Sequence, residues 1–277
     1  MRMTKAIASL SAVALAALVS APAFASSANI NETVNQTNIG NHTGGSGANL
    51  AVVRDNAFQH ASGNIGLNVA SGNTNQQANI AYIDAGSPTF VFSGTYNQTT
   101  TNEDLGSLFS GLNEATVRDN AFQHASGNIG ANVASGDQNS QLNGLMVAEN
   151  STQVYKGAIS QTEFDTNGSV SGLNTGTIRD NAFQHASGNI GLNVASGNLN
   201  QQANEAVIET MASSSDSDLY SATFSITQWG AANLNILSGA NTATVRDNAF
   251  QHASGNIGAN LASGNGNQQA NALVVTP

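Results

Sequence analysis

Arg54-Asp55-Asn56-Ala57-Phe58-Gln59-His60-Ala61-Ser62-Gly63-Asn64-Ile65-Gly66 recurs without a single change from Arg118, Arg179 and Arg246, at intervals of 64, 61 and 67 residues. Each copy continues into an Asn and an Ala-Ser-Gly, as at Asn68 and Ala70-Ser71-Gly72, and closes on an amide cluster such as Asn75, Gln76, Gln77 and Asn79. Repetition at this period marks an architecture in which each copy is one structural unit stacked on its neighbour.

The repeat also reaches backwards. A Ser-Gly-x-Asn precedes each Arg, at Asn49, Asn113, Asn174 and Asn241, and further back lie Gln36, Gln98, Gln161 and Gln228, at 18, 20, 18 and 18 residues before the Arg. The freely variable stretches shrink to about Ala81–Thr89, Gly144–Thr152 and Glu205–Asp218. The chain divides into a leader at 1–25, an amino-terminal segment at 26–50, repeats at 51–79, 115–143, 176–204 and 243–271, linkers at 80–114, 144–175 and 205–242, and a tail at 272–277.

Within the unit, Ile65, Leu67 and Val69 alternate with Asn64, Gly66 and Asn68, the period of two expected of a strand with one buried face. Val53 to Ala61 and Gln76 to Ile83 alternate similarly and complete a rung of short strands, while Thr89 to Thr95 and Ser221 to Trp229 form a further strand ahead of it. Gly63, Gly66 and Gly72 break any long helical run. The fold class is therefore all-β: a repeat-built β-solenoid, or cross-β stack, of four imperfect rungs behind a cleaved signal peptide.

Composition agrees. The 277 residues include 38 Asn and 17 Gln but only 9% charged residues, 5% aromatics and no cysteine. Disordered chains are usually rich in charge and proline, and this one has 3 Pro. The bias is that of an Asn/Gln-rich assembling sequence. Arg2 and Lys5, the apolar Ile7 to Val19 and Ala23-Phe24-Ala25 read as a secretory signal, too short to be a spanning anchor. Its removal leaves 5 basic residues against 17 acidic ones, a formal charge of −12, so no nucleic acid is expected as partner. Without disulfides, order must come from backbone pairing and repetition.

Copies stacked in register about 4.8 Å apart let each side-chain amide bond to its twin above and below. The expected assembly ladder comprises the columns Asn64–Asn128–Asn189–Asn256 and Asn68–Asn132–Asn193–Asn260, the repeated glutamines Gln76, Gln77, Gln141, Gln201, Gln202, Gln268 and Gln269, and Asn79–Asn143–Asn204–Asn271. Two non-polar columns join them, Phe58–Phe122–Phe183–Phe250 and Ile65–Ile129–Ile190–Ile257. Stacked arginines would repel unless each sits near an Asp, so a bend is expected at Arg-Asp-Asn. No dedicated cap is visible after Asn271, and matching open edges imply head-to-tail growth.

The stretch Ala61 to Asn79 closely resembles the repeats of Fap-type functional amyloid subunits of biofilm-forming bacteria. The resemblance covers all four repeats, roughly half the mature chain. It implies self-assembly into an extracellular cross-β fibril of the biofilm matrix, export through a dedicated outer-membrane pore, and a second fibril subunit. Main subunits of that family typically carry three repeats and a C-terminal Cys-x-x-Cys, whereas this chain has four repeats and no cysteine, so major, nucleating and divergent subunit readings all stand.

Other chemistry is weaker. Asp55, His60 and Ser62 have the residue types of a nucleophilic triad, but four identical copies do not make one preorganised pocket, and no catalytic role is expected. The column His60, His124, His185 and His252 admits a metal-binding or a pH-sensing reading beside that of a plain stacked side chain. No cofactor is expected, since the Lys of a phosphate loop and the calcium-binding nonapeptide are both missing. The competing function is a monomeric β-solenoid adhesin or ligand-binding protein. Exposed Thr or aromatic residues at matched positions would mark it, and the invariant positions are amides, glycines and small apolar residues instead. Trp229, Tyr96, Tyr155 and Tyr220 read as packing residues rather than a carbohydrate-facing surface.

Overall fold

The computed structural model of the chain describes residues 13–20, 28–39, 45–72, 75–85, 89–102, 108–149, 152–210 and 221–275, all strand or turn with no helix among them. Four rungs follow one another. The first holds β2 (Ala28–Ile39), β3 (Gly45–Val53), β4 (Ser62–Ser71) and β5 (Gln76–Ala85), and the second β6 (Thr89–Asn102), β7 (Leu108–Val117), β8 (Ser126–Ser135) and β9 (Ser140–Glu149). In the third, β10 (Thr152–Ile178) does the work of two strands and precedes β11 (Ser187–Ser196) and β12 (Gln201–Thr210); the fourth has β13 (Ser221–Val245), β14 (Ser254–Ser263) and β15 (Gln268–Val275).

Equivalent strands pair in parallel from rung to rung, giving three sheets: one with β5, β9, β12 and β15, one with β4, β8, β11 and β14, and one built on β10. The register aligns repeated residues on their twins, so Asn64 lies beside Asn128, Asn128 beside Asn189, and Asn189 beside Asn256. The linkers obey the same register, with Gln36, Gln98, Gln161 and Gln228 in one column. The all-β solenoid read from the repeats is the fold observed.

One expected strand is absent. Val53 to Ala61 does not run extended: β3 stops at Val53 and residues 55–60 form a turn, with Asp55 and His60 both at positive φ (61° and 59°) in every copy's equivalent position. Its alternation arises from a turn that must also stack. The Phe58, Phe122 and Phe183 amides each donate to the alanine carbonyl one rung on, at 2.6 to 2.7 Å. The bend expected at Arg-Asp-Asn is there, and each Arg Nε lies 3.6 to 3.7 Å from the adjacent Asp carboxylate. These pairs are largely solvated and contribute little, on the order of 0–1 kcal/mol each.

The hydrophobic core lies where β3, β7 and β10 face β4, β8 and β11 and includes Val117, Phe122, Ile129, Ile178, Phe183, Ile190 and Val194. The Asn face of β4 and its equivalents is covered at Asn68 and its twins rather than solvated as a half-buried strand would have it. β5 and its equivalents pack against it, and Asn132 and Asn193 have no solvent exposure. Of the leader, residues 1–12 and 21–25 lie outside the described residues. Val13–Ser20 forms β1, a parallel edge strand on β5.

Candidate assembly site: stacked ladders and two ends

The ladder columns assemble as their spacing requires. In the buried Asn68 column, Asn132 donates to Asn68, Asn193 to Asn132 and Asn260 to Asn193 at 2.9 to 3.0 Å. The Asn79 column does the same at 2.9 to 3.0 Å. The two are cross-linked in every rung, for example by Asn143 Nδ2 donating to Asn132 Oδ1 at 2.9 Å. Gln77, Gln141, Gln202 and Gln269 form a column of opposite polarity, the first three each donating to the member one rung later at 2.7 to 3.0 Å. Each of these glutamines also caps a carbonyl of its facing strand, Gln141 reaching Val133 O at 3.0 Å. A buried amide bonded on both sides contributes roughly 1 kcal/mol net and costs more when left half-paired.

The Asn64 column is bonded too, at 2.6 to 3.1 Å, but lies nearer solvent. The phenylalanine rings stack at centroid distances of 4.7 to 4.9 Å and within 11° of parallel. Ile129 and Ile190 are core, whereas Ile257 in the fourth rung is 43% exposed. The four histidines stack on the surface at 4.8 to 5.0 Å. Among the described residues no group of three or more His, Cys, Asp or Glu is arranged to hold a metal ion.

Several ladders escaped the sequence reading. Gln98, Gln161 and Gln228 each donate to the preceding member of the Gln36 column at 2.7 to 2.8 Å. The Asn75, Asn139, Asn200 and Asn267 column bonds at 2.9 to 3.0 Å. The recurrence of a glutamine 18 to 20 residues ahead of each Arg was the available signal. Threonines also align on the outer face: Thr37, Thr99 and Thr162 share a column that ends at Trp229, 50% exposed, and Thr33 lies beside Thr95. This corrects the reading that no matched threonines exist. They sit in linkers that differ in sequence and align only through the register. Tyr96 is core, as expected, but Trp229 is not. The Tyr155 side chain and Tyr220 lie outside the described residues.

The expected Gln76 ladder is broken in the second rung. Gln268 donates to Gln201 at 3.1 Å, but Ser140 takes the next place. Ser140 Oγ instead donates to Glu163 Oε1 at 2.8 Å, and the longer acid fills the room the missing glutamine leaves. Glu163 is fully buried, its Oε2 has no hydrogen-bond partner, and desolvation pushes its pKa up to about 8 against a slight lowering by Ser140. The neighbouring acid is accommodated the same way: a Cβ on Gly144 would collide with the Glu205 carboxyl.

Glu163 gives the monomer a pH dependence of definite sign. Below about pH 4.5 the carboxyl is neutral in both folded and unfolded chains and its contribution is fully present. Between about 4.5 and 8 the unfolded chain ionises while the folded one holds its proton, so stability falls as pH rises, by a few kcal/mol across the window. Glu163→Gln is expected to flatten this slope in urea-midpoint measurements from pH 4 to 9; an unchanged slope would show that Glu163 is not its source.

Four rungs joined by continuous amide and aromatic columns, with no described strand beyond β13, β14 and β15, define a parallel β-solenoid with an open edge at its last rung. The chain belongs to the functional amyloid protein FapB/FapC family, whose model matches residues 6–150 and 111–277. It is 30% identical, over 264 aligned residues covering 79% of this chain and 74% of the relative, to the functional amyloid subunit FapC of Pseudomonas aeruginosa. No solved structure matches it.

Proposed function

We propose that this chain is a secreted structural subunit that assembles with its own copies into cross-β fibrils of a biofilm matrix. The observation that carries the reading is the register: in the Asn68, Asn79 and Gln77 columns each amide bonds to its twin one rung away, and nothing in that pattern requires the twin to belong to the same chain. Membership of the FapB/FapC family supports it. The Asn, Gln, Phe and Ile columns are the assembly residues, and their role is to stack rather than to react. The leader directs export and is removed, an outer-membrane pore passes the chain, and a second fibril subunit shares the fibre. The outward threonine columns supply the face that adheres to surfaces.

The test is fibre diffraction with seeded growth on residues 26–277 diluted from denaturant. A meridional reflection near 4.8 Å and shortening of the lag by seeds are expected. A β-rich monomer that never seeds would move the protein to the solitary adhesin reading.

A further inference from the structure

We infer that Gly63 and Gly264 are the two contact glycines of a polar, head-to-tail junction between copies of this chain, an inference that rests on the fibril reading above. Two columns of glycine run through the stack, and both are directional. A Cβ on Gly127 would strike the Gly63 carbonyl, one on Gly188 the Gly127 carbonyl, and one on Gly255 the Gly188 carbonyl. The same Cβ on Gly63 meets nothing within 4 Å, and among the described residues no rung lies below it. The second column points the other way: Gly72 towards the Gly136 carbonyl, Gly136 towards Gly197 and Gly197 towards Gly264. Gly264 has only its own rung's Asn267 side chain nearby, at 3.4 Å.

Each column thus ends on a glycine for which only one of two demands is met inside the chain. All of these residues have φ between 99° and 119°, which glycine adopts freely, so backbone conformation is one demand and close approach the other. In the interior both demands are visible; at the ends only the first is. A second copy supplies the other: the Gly255 carbonyl of one copy against Gly63 of the next, and Gly264 of the first against that copy's Gly72 carbonyl. The end rungs are matched for it, because Gln268-Gln269-Ala270-Asn271 repeats Gln76-Gln77-Ala78-Asn79, while the exceptional Ser140, Gly144, Glu163 and Glu205 sit in inner rungs. Apolar side chains agree, Ile257 being 43% exposed where Ile190 one rung earlier is 2% exposed.

A separate observation marks the first-rung end. β1 covers Gln76 to Ile83 of β5, and β15 covers Gln201 to Ile208 of β12, which are the equivalent eight residues. The leader strand therefore occupies the place that β15 of an arriving copy would take, and the unprocessed chain is closed at that end.

The junction is heterologous, so its two faces can be blocked separately. Chains from Ser26 carrying Gly63→Ala or Gly264→Ala, with the asparagine replacements made in parallel because Asn tolerates positive φ best, are checked for wild-type circular dichroism and then assembled alone and mixed. Each alone is expected to lose seeded elongation at least tenfold and to remain monomeric. Their equimolar mixture is expected to form a dimer and stop there, the open Gly264 face of one on the open Gly63 face of the other. The unprocessed chain should behave as Gly63→Ala does. Wild-type elongation by either folded variant, or a mixture of folded variants that stays monomeric, overturns the junction. Failure of the unsubstituted chain to form fibres would instead sink the fibril reading beneath it.

Discussion

Gly136→Ala is expected to unfold the junction between the second and third rungs, while Gly63→Ala, at a similarly positive φ, is expected to be mild. The comparison separates two costs. Both substitutions place an L side chain at positive φ beyond the left-handed helical region (115° and 99°), a strain on the order of 1–3 kcal/mol. Only Gly136 adds a collision, since its Cβ would land on the Gly197 carbonyl, whereas nothing lies within 4 Å of a Cβ on Gly63. Relieving that collision means parting two rungs that are bonded at this point by Gly197 N–H to Ser135 O at 2.9 Å and by Leu199 N–H to Asp137 O at 3.1 Å. With backbone pairs and buried amides lost on either side, the difference between the two variants is expected to exceed about 3 kcal/mol in urea midpoints of the soluble chain. Equal losses would mean that strain alone governs these glycines.

The second large effect distinguishes buried amides from exposed ones in the same strand. Asn193 Nδ2 donates to Asn132 Oδ1, Leu142 O and Asn143 Oδ1 at 2.9 to 3.0 Å, and its Oδ1 accepts from Asn204 and Asn260 at 3.0 Å. Asn193→Leu strips partners from groups in three rungs in a place water does not reach, a cost expected at about 3–6 kcal/mol. Asn189, four residues earlier and near solvent, bonds only to Asn128 and Asn256. Asn189→Leu is expected to cost no more than about 1 kcal/mol, because water replaces what it loses. Similar losses at the two positions would contradict the burial of the inner ladder.

Much of this was legible in the repeats, and the reason is physical. A column of identical residues in a parallel stack is a string of identical residues at a fixed interval, so the Asn68 and Phe58 columns could be read directly from the chain. What could not be read is whatever depends on a third dimension. Asn132 looks like a solvent-facing strand residue until β9 is seen to cover it. Val53 to Ala61 alternates like a strand, yet Asp55 and His60 at positive φ turn it. Ser140 and Glu163 are 23 residues apart and each looks like an unremarkable departure from its column; only the facing of β9 and β10 makes them one pair. Gly63 and Gly264 belong to repeated motifs and differ from their twins solely in what lies next to them.

The central claim is that each copy contributes four consecutive rungs to the fibre rather than one flat layer stacked on itself. The chain has no cysteine, so Lys156→Cys, at an exposed site on β10, carries a spin label at a single position. Four rungs at about 4.8 Å each separate equivalent labels by roughly 19 Å along the fibre axis. Continuous-wave electron paramagnetic resonance of fully labelled fibrils is then expected to show a three-line spectrum without exchange narrowing. A single exchange-narrowed line, from labels stacked every 4.8 Å or so, would contradict the four-rung account.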